Sequence, residues 1–513
     1  MVSLNKSNAP RCVARGCAFG ILPLALATTP AFGDPAIQTP LSPASYRERI
    51  AQIDNAGPQL NAVITLAPDA SIKAAKAKGE LSGLAVLVKD NIETRDMPTT
   101  AGSLALKDNM TGRDAPLVAR LRAAGAVITG KTNLSEWANF RGNRSSSGWS
   151  AVGGQTKNPH AIDRSPCGSS AGSGAAVAAG LAWAAIGTET DGSITCPASA
   201  NGIVGFKPTV GLVSRSLVVP ISSSQDTAGP MTNSVRDAAR LLSAMAGRDA
   251  ADPATAQADA HAIDFTRGLA TASLQGLRIG VLRKQSGKMP GVTALLEQAL
   301  SDMRRAGATI VDIDFSPDPA MWQGENTVLN YEFREGIAAY LASLPGEPPA
   351  RDLAGLIAFN KAHAEEELRF YGQETFEEAL TTTDEAAYHD ARSNAFRLAG
   401  PEGIDALMAR NQVAVLISPT GGPAWTIDLV NGDHFGGIGA GSLAAIAGYP
   451  HLTVPMGAVE GLPVGLSFIA GQWQDEKVLK IGAAYEKVRS AALAVPHFTR
   501  WSAKLDAETD AQD

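Results

Sequence analysis

The stretch LAVLVKDN, Leu84 to Asn91, is a short continuous apolar run that ends on a lysine, an aspartate and an asparagine, and it reads as a buried strand. PLVARLRAAG, Pro116 to Gly125, follows with proline at a helix start and glycine at its end, and AVITGKTN, Ala126 to Asn133, reads as the next strand. The same unit returns as LRIGVLR, VTALLEQALSDMRRAG and ATIVDIDF, from Leu277 to Phe315. AVLISPT, HLTVPMG and PVGLSFIAG supply further strands between Ala414 and Gly471, and ASIKAAKAKGE, Ala70 to Glu80, reads as helix. Helices alternating with strands along the whole length predict one large α/β sheet layered by helices. No internal repeat and no Pro, Gly or Ser-rich linker marks a domain cut.

The rest of the chain bounds the class of protein. Its 513 residues are 45% apolar, 19% charged and 5% aromatic, the composition of a large soluble enzyme. A net charge of −7 offers no broad positive field for nucleic acid. Residues 1–33 read as a secretory signal: Lys6, Arg11 and Arg15 precede the apolar run Cys17 to Ala27, and small residues follow in TTPAFG. That run is too short to span about 30 Å of hydrocarbon, so the mature chain carries no membrane segment and is expected to be exported, periplasmic or secreted. The fold then occupies 34–505, with an acidic, disordered tail at 506–513. Residues 317–411 are helical and Glu-rich, an excursion over one side of the sheet that is either a solvated outer layer or a cap on the substrate side. Cys12 and Cys17 leave with the signal. Cys167 and Cys196 remain, and whether they bond depends on a Cα separation of roughly 4.4 to 6.8 Å.

Between Arg164 and Glu189 lie 24 residues without a charge, opening with SPCGSSAGSGAAV and closing with AWAAIGT. The segment reads as a buried helix with a glycine-rich entrance, where small residues let backbones approach closely and free N–H groups face developing negative charge. Two local patterns compete for a different chemistry. GAVITGKT, Gly125 to Thr132, fits a phosphate loop that would make Lys131 a nucleotide ligand, but a helix precedes it and its interior reads as a strand. GSSAG, Gly168 to Gly172, fits a nucleophile elbow with Ser170 as nucleophile, for which His451 or His497 could serve.

A longer constellation is more specific: Lys89 in LVKDN, Ser169 in PCGSSAGS, and Ser193 in GTETDGSITCPA, 24 residues after Ser169. This resembles the amidase signature family, and NLSEWANFRGN, GGQTKNP, GFKPTVGLVSR, SQDTAGPM and AGYPHLTVPMG extend the likeness over most of the mature chain. SEWANFRGN, SPCGSS and TETDGSI are most similar to the bacterial peptide amidases within it. Cys167, Ala171, Asp191 and Thr195 depart from the common family pattern, while the three catalytic positions are intact. The resemblance implies a single large domain with a mixed, twisted central sheet covered by helices on both faces, its signature core at about 80–232. It implies catalytic Lys89, Ser169 and Ser193, a cis peptide before Ser169, and an oxyanion hole of backbone N–H groups from Thr190, Asp191, Gly192 and Ser193. The expected activity is hydrolysis of a terminal carboxamide, foremost the C-terminal amide of a peptide, through an acyl-serine. A broad small-amide or aryl-amide amidase and a non-catalytic exported binding protein are the alternatives.

The chemistry has one physical requirement. A serine hydroxyl is a weak nucleophile, and a lysine can accept its proton through a second serine only when the lysine is neutral. Burial after LAVLV can supply that, and in a strand Asp90 points to the face opposite Lys89. The histidines are scattered without ligand spacing, so no metal and no cofactor is expected. The partner is a small-molecule or peptide amide, met by a monomer.

Overall fold

In the computed structural model, which describes residues 40–75 and 78–503, the run after Gly83 forms the strand that the sequence predicts. The signal segment 1–33 and the tail 506–513 lie outside the described residues. Among the described residues thirteen strands occur, in chain order β1 (Val63–Leu66), β2 (Ala85–Lys89), β3 (Val127–Thr132), β4 (Trp149–Ser150), β5 (Gly154–Gln155), β6 (Ala184–Glu189), β7 (Val204–Lys207), β8 (Thr227–Thr232), β9 (Arg278–Leu282), β10 (Thr309–Ile313), β11 (Val415–Pro419), β12 (His451–Val459) and β13 (Leu462–Ile469). Eleven of them make one sheet in the order β1-β3-β2-β6-β8-β7-β12-β13-β11-β9-β10, and β4 pairs with β5 alone. β3, β2 and β6 run parallel, as do β11, β9 and β10, and the remaining pairs are antiparallel. The sheet is therefore mixed.

Strand periodicity sends alternate side chains to different layers. Val86 and Val88 join a core with Leu117, Val118 and Leu121 of the helix Pro116–Ala123 and with Leu241 and Leu242 of the helix Val235–Met245. Leu87, between them, joins Ala175 and Ala176 of the helix Ala171–Ala178 and Ala198 of the helix Thr195–Ala200. Both faces of β2 are thus covered, which explains why its sequence is continuously apolar. Lys89 has the parity of Leu87, so its side chain enters the layer of small-residue helices.

That layer packs at backbone contact. A Cβ on Gly172 would stand 2.3 Å from the carbonyl oxygen of Ala62 and 2.5 Å from that of Asn133, so a larger residue would force the Ala171–Ala178 helix off the sheet. Within the uncharged segment only Ala171–Ala178 is helical. Gly180, at φ +67°, stops the helix, and AAIGTE turns into β6, because the segment crosses the core twice rather than once. Among the described residues of ASIKAAKAKGE, helix is confined to the short element Asp69–Lys73, since Ile72 is the sole large apolar side chain of the stretch and no stripe is available to bury.

The helices Ala320–Ala342, Leu353–Ala362, Glu374–Thr381 and Glu385–Ala399 make up most of the excursion. Phe333, Ile337, Leu341 and Phe376 pack against Ala101, Leu106, Trp137, Val219 and Ile221. Fully buried Arg141 bolts the two parts together: it pairs with Glu136 and with Glu367 at 3.3 Å, and donates to the carbonyls of Tyr371 at 3.0 Å and Gly372 at 3.2 Å.

Candidate active site

Lys89 ends β2 fully buried. Its Nζ lies 2.8 Å from Ser169 Oγ, 2.8 Å from Thr188 Oγ1 and 3.3 Å from the Thr188 carbonyl oxygen, and Asn91 Nδ2 donates to the same Thr188 hydroxyl at 3.0 Å. Asp90 faces the other layer, where it pairs with Lys131 at 2.9 Å and leaves Lys89 without an adjacent carboxylate. Burial pulls the Lys89 amine down from its ordinary value near 10.5 to about 7, against an opposing pull from Asp226 and Glu189. A neutral amine has two N–H groups and one lone pair. With Thr188 offering two acceptors, the lone pair is left for the Ser169 hydroxyl.

Ser169 sits in a loop that no side chain at residue 168 would permit. The Gly168–Ser169 peptide is cis, as the resemblance implies, and a Cβ on Gly168 would lie 2.3 Å from Ser135 Oγ. The Ser169 carbonyl accepts from the Ser135 N–H at 3.0 Å. Its neighbour Ser170 uses its hydroxyl structurally, donating to the Thr188 carbonyl at 3.1 Å and accepting from the Thr188 N–H at 3.2 Å. The elbow reading fails on that geometry, and His451 is buried against Ser467 at 2.7 Å. The phosphate-loop reading fails as well, because Lys131 is a buried, ion-paired residue inside β3.

Ser193 follows β6 in a turn and is 9% exposed. Its carbonyl accepts from the Ser170 N–H at 3.1 Å, so the two serine loops touch through their backbones. Gly192 holds φ +80°, and the N–H groups of Thr190, Asp191, Gly192 and Ser193 donate to no described residue. Four adjacent free N–H groups beside a serine form a concentration of positive partial charge. The turn is anchored from outside. Thr190 Oγ1 donates to Asp226 at 2.6 Å, and Ser442 Oγ donates to Asp191 at 2.7 Å. Glu189 accepts from the Ile194 and Thr195 N–H groups at 2.8 and 2.9 Å, at the start of the next helix. Burial pushes Asp191 up to about 6, helped by Glu189 and opposed by the Ser442 hydrogen bond and Lys207.

Cys167 and Cys196 form a disulfide with Cα atoms 5.9 Å apart. It joins the residue before Gly168 to the helix that begins after Ser193. Sequence reading missed Thr188, Asn91, Asp226 and Ser442. Thr188 lies inside the GTETDGS segment and Asn91 two residues after Lys89, whereas Asp226 and Ser442 come from distant segments that only folding brings near. Among the described residues there is no group of three or more His, Cys, Asp or Glu placed to hold a metal, and no helix is long and apolar enough to cross a membrane.

The sequence model of the family described as Amidase matches residues 44–479. The fold is similar to the crystal structure of native peptide amidase from Stenotrophomonas maltophilia, at 52% identity over 89% of this chain and 94% of that one, with a TM-score of 0.84. An amidase family protein from Bacillus anthracis superimposes with a TM-score of 0.79 at 33% identity, over 88% of each chain. One subunit of the glutamyl-tRNA(Gln) amidotransferase of Symbiobacterium thermophilum is 36% identical over 478 residues, covering 89% of this chain and 94% of that protein. With a family match across most of its length and a fold similar to that of peptide amidase at 52% identity, this chain belongs to the amidase signature family of amide-hydrolysing enzymes.

Proposed function

We propose that the enzyme removes ammonia from the C-terminal carboxamide of peptides, with Ser193 as nucleophile, Ser169 as proton relay and Lys89 as base. The observation that carries this reading is the buried Lys89 amine at 2.8 Å from Ser169, in surroundings that favour its neutral form. Ser193 Oγ bonds to the amide carbon while its proton passes to Ser169 and the Ser169 proton passes to Lys89. The carbonyl becomes an oxyanion, which the free N–H groups from Thr190 to Ser193 receive without reorganising. Collapse breaks the C–N bond, and the proton returns through Ser169 to the leaving nitrogen as ammonia. Water then attacks the acyl-Ser193 ester by the same relay, releasing the acid and restoring the serine.

The peptide substrate is supported by 52% identity to a protein that is itself a peptide amidase. Export is supported by the basic-then-apolar pattern of residues 1–33 and suits a chain with a disulfide beside its site. The deciding experiment supplies purified enzyme with a peptide amide, the same peptide as anilide, and a free small amide, and measures ammonia or aniline release. Preferential turnover of the peptide amide is expected. Equal or faster turnover of small or aryl amides would replace the peptide reading with a broad amidase. Binding without turnover of any of them would leave only a binding protein.

A further inference from the structure

The turn from Thr190 to Ser193 presents its N–H groups inward only if its carbonyls are held elsewhere. Three of them are. The Gly192 carbonyl accepts from the Cys196 N–H at 2.8 Å, and the Ser193 carbonyl accepts from the Ser170 N–H at 3.1 Å. The Thr190 carbonyl accepts instead from a side chain, Gln225 Nε2, at 3.3 Å. Gln225 is 2% exposed, and the same nitrogen donates at 2.8 Å to Glu325 Oε1 on the helix Ala320–Ala342. A backbone carbonyl can only accept, so the amide nitrogen of Gln225 must face the turn.

In a trans peptide the C=O and the following N–H point in opposite directions. Whatever fixes the Thr190 carbonyl therefore fixes the direction of the Asp191 N–H. We infer that Gln225 is a positioning residue that aims the Asp191 N–H at the reacting oxygen, and that Glu325 holds Gln225 in place from the helical excursion. This inference rests on the proposed role of the turn as oxyanion site. The excursion thereby contributes to the site through one hydrogen-bonded chain, Glu325 to Gln225 to Thr190. Neither Gln225 nor Glu325 touches the reacting atoms. Of the three held carbonyls, Thr190's is the one whose restraint a substitution can remove, since the other two donors are main-chain groups.

The test uses the full-length enzyme and a peptide amide. Gln225→Met keeps the volume and removes the donor. It is expected to lower kcat by about 10 to 100-fold with KM changed by less than about twofold, because the lost interaction is made only in the transition state. A peptide aldehyde, which forms a tetrahedral adduct with the serine, should lose affinity by the same factor as kcat/KM. Glu325→Gln still offers an amide oxygen to Gln225 and should cost less than Glu325→Leu. The Gln225→Met/Glu325→Leu double variant should be no worse than Gln225→Met alone. A kcat within about twofold of wild type in Gln225→Met, a loss confined to KM, or an aldehyde affinity that does not follow kcat/KM would overturn the inference. If Gln225→Met does not fold, the Glu325→Leu and Glu325→Gln pair decides by the same kcat and aldehyde measurements. Ser193→Ala is run in parallel. Activity retained there would refute the proposed mechanism itself, whereas activity lost there but kept in Gln225→Met refutes only the positioning role.

Discussion

With Lys89 as the base, as proposed, the pH dependence of the reaction reads directly on its amine. Moving its amine from near 10.5 to about 7 disfavours the charged form by roughly 5 kcal/mol, which a fully buried amine bonded only to neutral oxygens can sustain. At pH 7 about half of the enzyme is then competent, at pH 6 about a tenth, and at pH 5 about a hundredth. For a peptide amide blocked at its N-terminus, kcat/KM should rise about tenfold per pH unit up to 7 and level off above 8. An ordinary lysine would keep the rate climbing to about pH 10. Such a climb, or a flat profile from pH 5 to 8, would refute the argument. Stability gives an independent reading. Between about 7 and 10.5 the unfolded chain holds a proton on Lys89 that the folded chain has released, so stability rises with pH across that window and the term vanishes below it. Lys207, which burial pulls down to about 8, adds a term of the same sign. Urea unfolding at pH 7.5 and 9.5 should therefore show a smaller rise in Lys89→Met than in wild type. An equal rise in both would place the Lys89 amine near its ordinary value.

Three further outcomes are expected. Ser170→Ala strands the buried Thr188 N–H and should cost about 1 to 3 kcal/mol in urea unfolding while leaving measurable turnover; complete loss of turnover in a folded variant would revive the elbow mechanism. Replacing Cys167 and Cys196 together by alanine opens a loop across 29 residues and should cost about 3.5 kcal/mol of stability, with a fall in kcat as the serine loops gain freedom; an unchanged unfolding midpoint would show that the disulfide constrains nothing. Arg141→Met leaves Glu136 and Glu367 buried together without their cation and should destabilise by about 3 to 5 kcal/mol, read by the same unfolding assay; a stability within about 1 kcal/mol of wild type would mean that the excursion does not depend on this ion pair.

Much of the fold was legible because buried strands and amphipathic helices leave local signatures. β2, β3, β9 and β10 fall where apolar runs predict them, and the helix Pro116–Ala123 falls between its proline and glycine. The uncharged segment was legible only in part: small residues suit a buried helix and a buried strand equally, and tertiary contact decides between them. The phosphate-loop and elbow patterns were misleading for a related reason. A pattern states which residues occur, but not that Lys131 is paired with Asp90 or that the Ser170 hydroxyl is bonded to Thr188.

The sequence by itself determined the residue types that the proposed chemistry requires, Lys89 after an apolar strand and two serines in glycine-rich loops, because these are local properties of composition and spacing. Tertiary structure alone decided that Lys89 meets Ser169 and Thr188 away from water, that Cys167 and Cys196 bond, and that Asp226, Gln225 and Ser442 hold one short turn. Those contacts join residues up to 251 positions apart, and whether an amine keeps its proton depends on everything packed around it.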